Sequence, residues 1–411
     1  MVRTRSSIAV FLLPFCWTVI GLALSGSAFA DPVAVSDPLT SPAWQHFYNN
    51  EYDEAITAFQ NEVASHPLDP DAYNHLAQGV LYRELFRNGA LESQLVTGNN
   101  PFLRRPKVNA STLAKQQFRQ AIDRALALSE KRLESDSKDQ KALYALSVTY
   151  GLRANYHFLV EKAWSGALHD ATASRKYSDR LIDLNPDLTD AYLIQGLHDY
   201  IVGSLPFYMR MMGHLAGFHG DKERGLTELK NVAENGVLNK YDAQILLAVI
   251  YRREKRPEDA IPLLKNLAAA FPRNYLLPLE QVQMYSDAGD KASALSVLNE
   301  VERLRTAEAK GYKDLPPEKI KYLRGNLLFW YGDINPAIAE MQDVTAKSSE
   351  LDLNTAVLAW LRLGQLYDLK GKRDAAVRAY EETIKTAPES RAASEAKGYI
   401  SSPYKRKSSS A

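Results

Sequence analysis

The chain has 411 residues, 24% of them charged and 45% hydrophobic, with a formal net charge of +1. These values suit a globular chain with a sizeable core and leave no basic footprint for nucleic acid. The single cysteine, Cys16, lies in an apolar leader, so the rest of the chain has no disulfide framework, thiolate nucleophile or cysteine metal site.

Arg3 and Arg5 precede an apolar run over 8–24, and Ala28-Phe29-Ala30 follows it. This reads as a signal peptide over 1–30, cleaved after Ala30, with an uncleaved anchor as the competing reading. Arg3 and Arg5 are not adjacent, which speaks against twin-arginine export, and Cys16 lacks the small residues that a lipoprotein signal places before it. Cleavage tips the net charge to about −1. No later stretch approaches the ~20 apolar residues of a membrane span. Export predicts a periplasmic or secreted protein.

After a Pro-rich leader, Trp44, Phe47 and Tyr48 open a short first helix. Tyr52, Ala55, Ile56 and Phe59 give the inward stripe of a second, closed by Pro67. Asp69 or Asp71 can cap the next helix, with Pro70 in its first turn. Residues 87–109 read as a long loop, rich in Gly, Asn and Pro. A helix resumes near Ser111, with Phe118, Ile122, Ala125 and Leu128 on one face. Asp139 starts another, and a less regular one runs over 163–184 to Asn185-Pro186. The pattern restarts at Tyr192, Gly196 and Leu197, is interrupted over 204–219, and resumes with Gly225, Leu229 and Val232. Residues 31–240 are therefore helical repeats with insertions at 87–109 and 204–219.

From 241 to 390 four units are regular, at 241–274, 275–308, 318–351 and 357–388. In the last, Trp360, Leu363, Gly364 and Tyr367 share one face of a first helix, Gly371 ends it, Ala376 and Tyr380 face inward from a second, and Pro388 closes the unit. This spacing, W-x2-L-G-x2-Y followed by the small, aromatic and proline positions, resembles the tetratricopeptide repeat family. Such a helix pair cannot bury its apolar face alone, so neighbouring copies are required. The expected fold is an all-α, right-handed superhelix of about eight helix pairs, irregular in its N-terminal half. The Ser-rich, basic end of the chain places a disordered tail over 391–411.

A narrower resemblance runs over 189–236. Gly196, Leu197, Tyr200, Gly203, Leu205, Pro206, Gly217, Phe218, Gly220, Asp221, Gly225 and Leu226 are similar to a pattern of the tetratricopeptide repeat protein 39 family. The resemblance bears on fold and brings no catalytic residue. Members of that family are not exported by a cleavable signal, so their cellular role does not carry over.

Chemistry has little to build on. His198, His214, His219 and Asp221 are close in sequence, but a metal needs three or four ligands converging on one ion, and loop histidines are far commoner. There is no H-E-x-x-H, phosphate-cradling loop or G-x-S-x-G elbow. The expectation is no enzyme, no metal and no cofactor.

The repeat resemblance implies which side chains face the inner groove. These are Tyr82, Tyr144, Leu193, Tyr200, Ile245, Arg252, Leu279, Gln283, Tyr322, Asn326, Phe329, Trp330 and Gln365. Gripping a C-terminal carboxylate needs Lys, Arg or Asn in the groove, where Leu193, Ile245, Leu279, Tyr322 and Leu361 stand instead. Apolar and aromatic contacts must do the gripping. The function expected is a non-enzymatic exported scaffold that binds a protein or peptide partner. The alternative is a structural or assembly subunit at the envelope, peripherally attached through the apolar 204–219 insertion, with Phe207, Met211 and Met212 as contacts.

Overall fold

The structure, a computed structural model, describes residues 37–91, 108–205, 207, 210–211 and 219–406. The leader, most of the 87–109 loop, Met212, His214 and most of the 204–219 insertion lie outside the described residues.

Seventeen α-helices, and no strand, occur among the described residues. They form eight pairs, α1 (Pro42–Tyr48) with α2 (Tyr52–Ser65), α3 (Pro70–Arg87) with α4 (Thr112–Ser135), α5 (Gln140–Tyr156) with α6 (Trp164–Leu184), and α7 (Tyr192–Gly203) with α8 (Lys222–Asn235). The regular half adds α9 (Lys240–Arg253) with α10 (Pro257–Ala270), α11 (Leu276–Asp287) with α12 (Lys291–Thr306), α13 (Pro317–Tyr331) with α14 (Ile334–Ala346), and α15 (Leu353–Leu369) with α16 (Arg373–Thr386). A last helix, α17 (Arg391–Ser401), covers the end. Each helix packs on the next, and α3 also touches α5, as do α11 and α13, α13 and α15, and α15 and α17, as in a solenoid.

Local chemistry sets the helix ends. The Asp69 carboxylate accepts from the Asp71 amide with Pro70 at the first position, and Ser111, Asp139 and Asp221 cap α4, α5 and α8 in the same way. The stripe Tyr52, Ala55, Ile56 and Phe59 is buried, each large apolar side chain adding about 1.5–3 kcal/mol of transfer free energy. Gly371, at a φ of +70°, ends α15. A side chain on Gly364 would stand 2.4 Å from the Tyr380 ring, so its absence brings α16 close.

The C-terminus corrects one expectation. Residues 391–411 are not a disordered tail throughout, because Ser390 caps α17 and Ala392, Ala393 and Ala396 bury its inner face against α15 and α16. Of the next five residues, 402–406, Tyr404 and Arg406 reach back onto the repeats; 407–411 lie outside the described residues.

A second feature has no counterpart in the sequence pattern. The turn after α1 meets the region between α10 and α11, more than 220 residues away. Asn50 donates to the Asn274 side-chain oxygen at 2.6 Å, Asn274 donates to the Tyr48 carbonyl at 2.8 Å, and the Arg273 amide donates to Asn49 at 2.9 Å. The Tyr48 ring stacks on Phe271 at 4.8 Å, and Arg273 grips Glu51 with two hydrogen bonds of 2.7 and 3.0 Å. The first turn of the solenoid thus closes on itself, and α1–α2 share one apolar core with α7–α11.

Candidate functional site: a cavity in the first turn and an occupied inner face

The closed first turn holds a partly open cavity of about 480 Å³. Its walls come from the inward faces of α1, α3, α5, α7, α9 and α11, with part of α6. Of the expected groove residues, Tyr82, Tyr144, Leu193 and Ile245 are brought together here. Most of the wall is aliphatic. One region is polar, where the Tyr48 hydroxyl donates to Asp242 at 3.1 Å and Tyr144 donates to Asn239 at 3.3 Å. Burial raises the Asp242 carboxyl to about 6, with the Tyr48 hydrogen bond pulling the other way. Burial, and the nearby Asp242 charge, push the phenols of Tyr48, Tyr52, Tyr82 and Tyr144 up.

The remaining candidates lie elsewhere. Tyr200 is buried, with its hydroxyl on Glu254 at 2.8 Å, because α7 turns that face towards α8 and α9. Arg252 pairs with Glu280 and Asp287. Leu279, Gln283 and Tyr322 close over a gap of about 10 Å³, room for at most one water. Asn326 is half-buried and Gln365 is buried, accepting from Arg362 at 2.8 Å. Phe329 and Trp330 part company. Phe329 is fully buried and Trp330 is exposed, with the Arg362 guanidinium 3.9 Å from the first ring and 4.9 Å from the second. Phe207 and Met211 are exposed.

The chain's own end lies beside these residues. The Tyr404 amide donates to the Asp368 carboxylate at 2.8 Å, and its ring sits 5.9 Å from Phe329 and 5.3 Å from Tyr399. The Arg406 guanidinium donates to the Phe329 carbonyl and lies 5.4 Å from its ring. Arg373 holds the end of α17 through the Tyr399 and Ile400 carbonyls. A short segment without helix or strand thus runs across α15 and α13, using one backbone bond and aromatic packing.

Among the described residues no three His, Cys, Asp or Glu converge as metal ligands. Asp199 is fully buried. Burial alone would raise its carboxyl, but hydrogen bonds from Arg175 and Arg224 hold it below the usual range. His198 lies beside them, pushed down by burial and by the Arg175 charge. This is an ion-pair core joining α6, α7 and α8.

Sequence reasoning missed Asp242, Tyr48 and Tyr52 in the cavity and Asp368, Tyr399 and Tyr404 at the tail. Asp242 was open to it, as the second residue of the 241–274 unit.

A family model described as tetratricopeptide repeat matches residues 43–79 and 210–275, and another of the same description matches 358–390. The chain is a tetratricopeptide repeat protein. No curated protein matches it, and the narrower likeness to the tetratricopeptide repeat protein 39 family stays unsupported. Two glycines of that pattern have a packing role in this repeat chain, since a side chain on Gly225 would stand 2.5 Å from the Gly196 carbonyl across the α7–α8 contact. Similar solved structures include yeast Tom70, at 13% identity over 89% of this chain and 88% of that one, with a TM-score of 0.39. A tetratricopeptide repeat protein from Parabacteroides merdae has 14% identity over 77% and 95%, with a TM-score of 0.32. The human IFIT1 dimer with m7Gppp-AAAA has 14% identity over 86% and 78%, with a TM-score of 0.43. Likenesses this distant carry no reading of ligand or partner.

Proposed function

We propose that this repeat protein is an exported, non-enzymatic scaffold that holds an extended segment of a protein partner on the inner face of its C-terminal repeats. The observation that supports the reading is the chain's own segment 402–406, held across α13 and α15 by Tyr404 and Arg406. A face that takes this segment offers a partner the same contacts, namely a carboxylate for a backbone amide, an aromatic platform and a helix-end carbonyl. The test uses a chain ending at Ser401 and a fluorescent peptide of residues 401–411. The peptide should bind saturably, about ten-fold more weakly with Tyr404→Ala, and more weakly to the full chain, whose own tail competes. Absence of saturable binding, or indifference to Tyr404→Ala, would refute the reading. Export rests on Arg3, Arg5, the 8–24 run and Ala28-Phe29-Ala30, and exported protein should begin at Asp31.

One observation favours the second reading, a peripheral subunit at the envelope. Phe207 and Met211 are 73% and 54% exposed, next to Ile201 at 41%. Phe207→Asp with Met211→Asp should then leave the melting temperature unchanged and move the protein from the membrane fraction to the soluble one.

A further inference from the structure

We propose that the chamber inside the first turn binds a small amphipathic amine, with its alkyl body against the aliphatic walls and its ammonium at Asp242. The site is separate from the inner face that holds the tail, so the proposal does not depend on that reading.

The size comes first. A cavity of about 480 Å³ lies within the range of small-molecule sites. It lies within the closed first turn, with the seam residues Tyr48 and Asn274 in its lining, and it stays partly open to solvent, which gives a small ligand a way in. Leu193, Ile194, Ile245, Leu246 and Val249 give it aliphatic walls.

Charge decides the ligand's class. Among the described residues, no Lys or Arg lines the chamber, whereas Asp190, Asp242 and Glu280 do, and the histidine in the lining, His198, is pushed down by burial and by the Arg175 charge. Two of these carboxylates are committed. Asp190 accepts from the Val237 and Asn239 amides, and Glu280 pairs with Arg252. Asp242 is different. One of its oxygens takes the Tyr48 hydroxyl, and the other has no protein donor among the described residues. The side chain keeps some accessible surface although protein surrounds it, because it faces the chamber. A wholly apolar ligand would strip water from this carboxylate with nothing in return, and an anion would meet its charge. An ammonium supplies both the opposite charge and the N–H donors. The Tyr52, Tyr82 and Tyr144 side chains around it are uncharged and tolerate a cation.

The same carboxyl gives the site a pH signature. The groups facing it are Tyr48 from α1, Tyr52 from α2, Tyr82 from α3 and Tyr144 from α5, with Asp190 beyond Tyr144. None of these is a base that could replace it. Burial raises Asp242 to about 6, so it is ionised at neutral pH and protonated below. An alkylamine keeps its own proton throughout. Amine binding should therefore fall as pH drops from about 7.5 to 5.

The test is calorimetric titration of the whole mature chain with decylammonium, decanoate and decanol, below micelle formation. Decylammonium should bind saturably, at least about ten-fold tighter than decanoate or decanol, and about ten-fold tighter at pH 7.5 than at pH 5. Asp242→Asn should remove that preference and leave the melting temperature unchanged. If Asn at 242 impairs folding, the pH arm on the unaltered chain carries the same test. Decanoate or decanol binding as tightly as decylammonium, an amine affinity indifferent to pH or to Asp242→Asn, or no saturable binding at all would each overturn the proposal.

Discussion

Glu51 is the charge that clasps the first turn shut, and removing it should loosen one seam and nothing else. Its carboxylate accepts from the Arg273 guanidinium, lies 3.3 Å from the Lys310 ammonium and touches the His46 ring. Burial works against its charge, but the hydrogen bonds from Arg273 and His46 and the Arg273 charge bring it down to about 2, from 4.5. Taken at face value that is about 3 kcal/mol. Arg273 and Lys310 are partly or largely in water, 29% and 67% exposed, so screening leaves about 1–2 kcal/mol. Glu51→Gln keeps the shape and removes the charge. The Tyr48–Phe271 stack and the Asn274 bonds remain, so the seam should weaken without parting. Repeat chains do not unfold as one unit, so the readout must be local. Hydrogen exchange at neutral pH should quicken about 5–30-fold in peptides covering 44–52 and 271–277, and stay unchanged over α15 to α17. The pH dependence has a definite sign. A carboxyl lowered on folding stabilises above its unfolded value and loses that contribution as pH falls through the folded one. The unaltered chain and Glu51→Gln should differ above about 4.5 and converge as pH falls towards about 2. Equal protection at neutral pH, or faster exchange along the whole chain, would refute the clasp.

Asp199 should be far less forgiving, because it is fully buried between Arg175 and Arg224. Asp199→Ala should cost about 3–5 kcal/mol, read as an earlier urea transition in the α6–α8 region. Gly364→Ala should destabilise the last pair by about 1–3 kcal/mol, since the new methyl meets the Tyr380 ring. Limited proteolysis should then release the region after α15 first, and a cleavage pattern identical to the unaltered chain would contradict the packing argument.

The regular units were legible because their spacing is written in buried atoms. Ala260, Ala294, Ala337 and Ala376, the small positions of the four frames, are all completely buried, so each constrains the chain wherever it recurs. The seam has no such signature. Tyr48 and Glu51 belong to a short first helix and its turn, and their partners Phe271, Arg273 and Asn274 follow a helix end more than 220 residues later. No local period encodes a contact at that distance; it follows from how far the intervening helices wind. The tail misled for a related reason. Serines and basic residues normally favour water. Tyr404 nevertheless finds Phe329, and the small inward residues Ala392, Ala393 and Ala396 make a helix of what composition alone assigns to solvent. Asp242 was open to the frame but ambiguous, since an acid in a helix's first turn usually answers the helix dipole.

Closure also changes what a solenoid of this kind can transmit. An open superhelix stretches by small rotations at every repeat interface, so a ligand anywhere on its inner surface is felt along its length. Here α1–α2 and α7–α11 share a core, and that first turn cannot change pitch without breaking the Asn274 and Arg273 bonds. The inner surface is therefore divided. Asp242 looks into a cavity within the turn that the seam closes, while Phe329 belongs to a second core built from α11 to α16 and Asp368 holds the tail beside it. The two regions meet where Leu279, Gln283 and Tyr322 fill the space between them almost completely. Two ligands placed on either side of that plug share no contact residue. The shortest packed route between them crosses the α11–α13 contact.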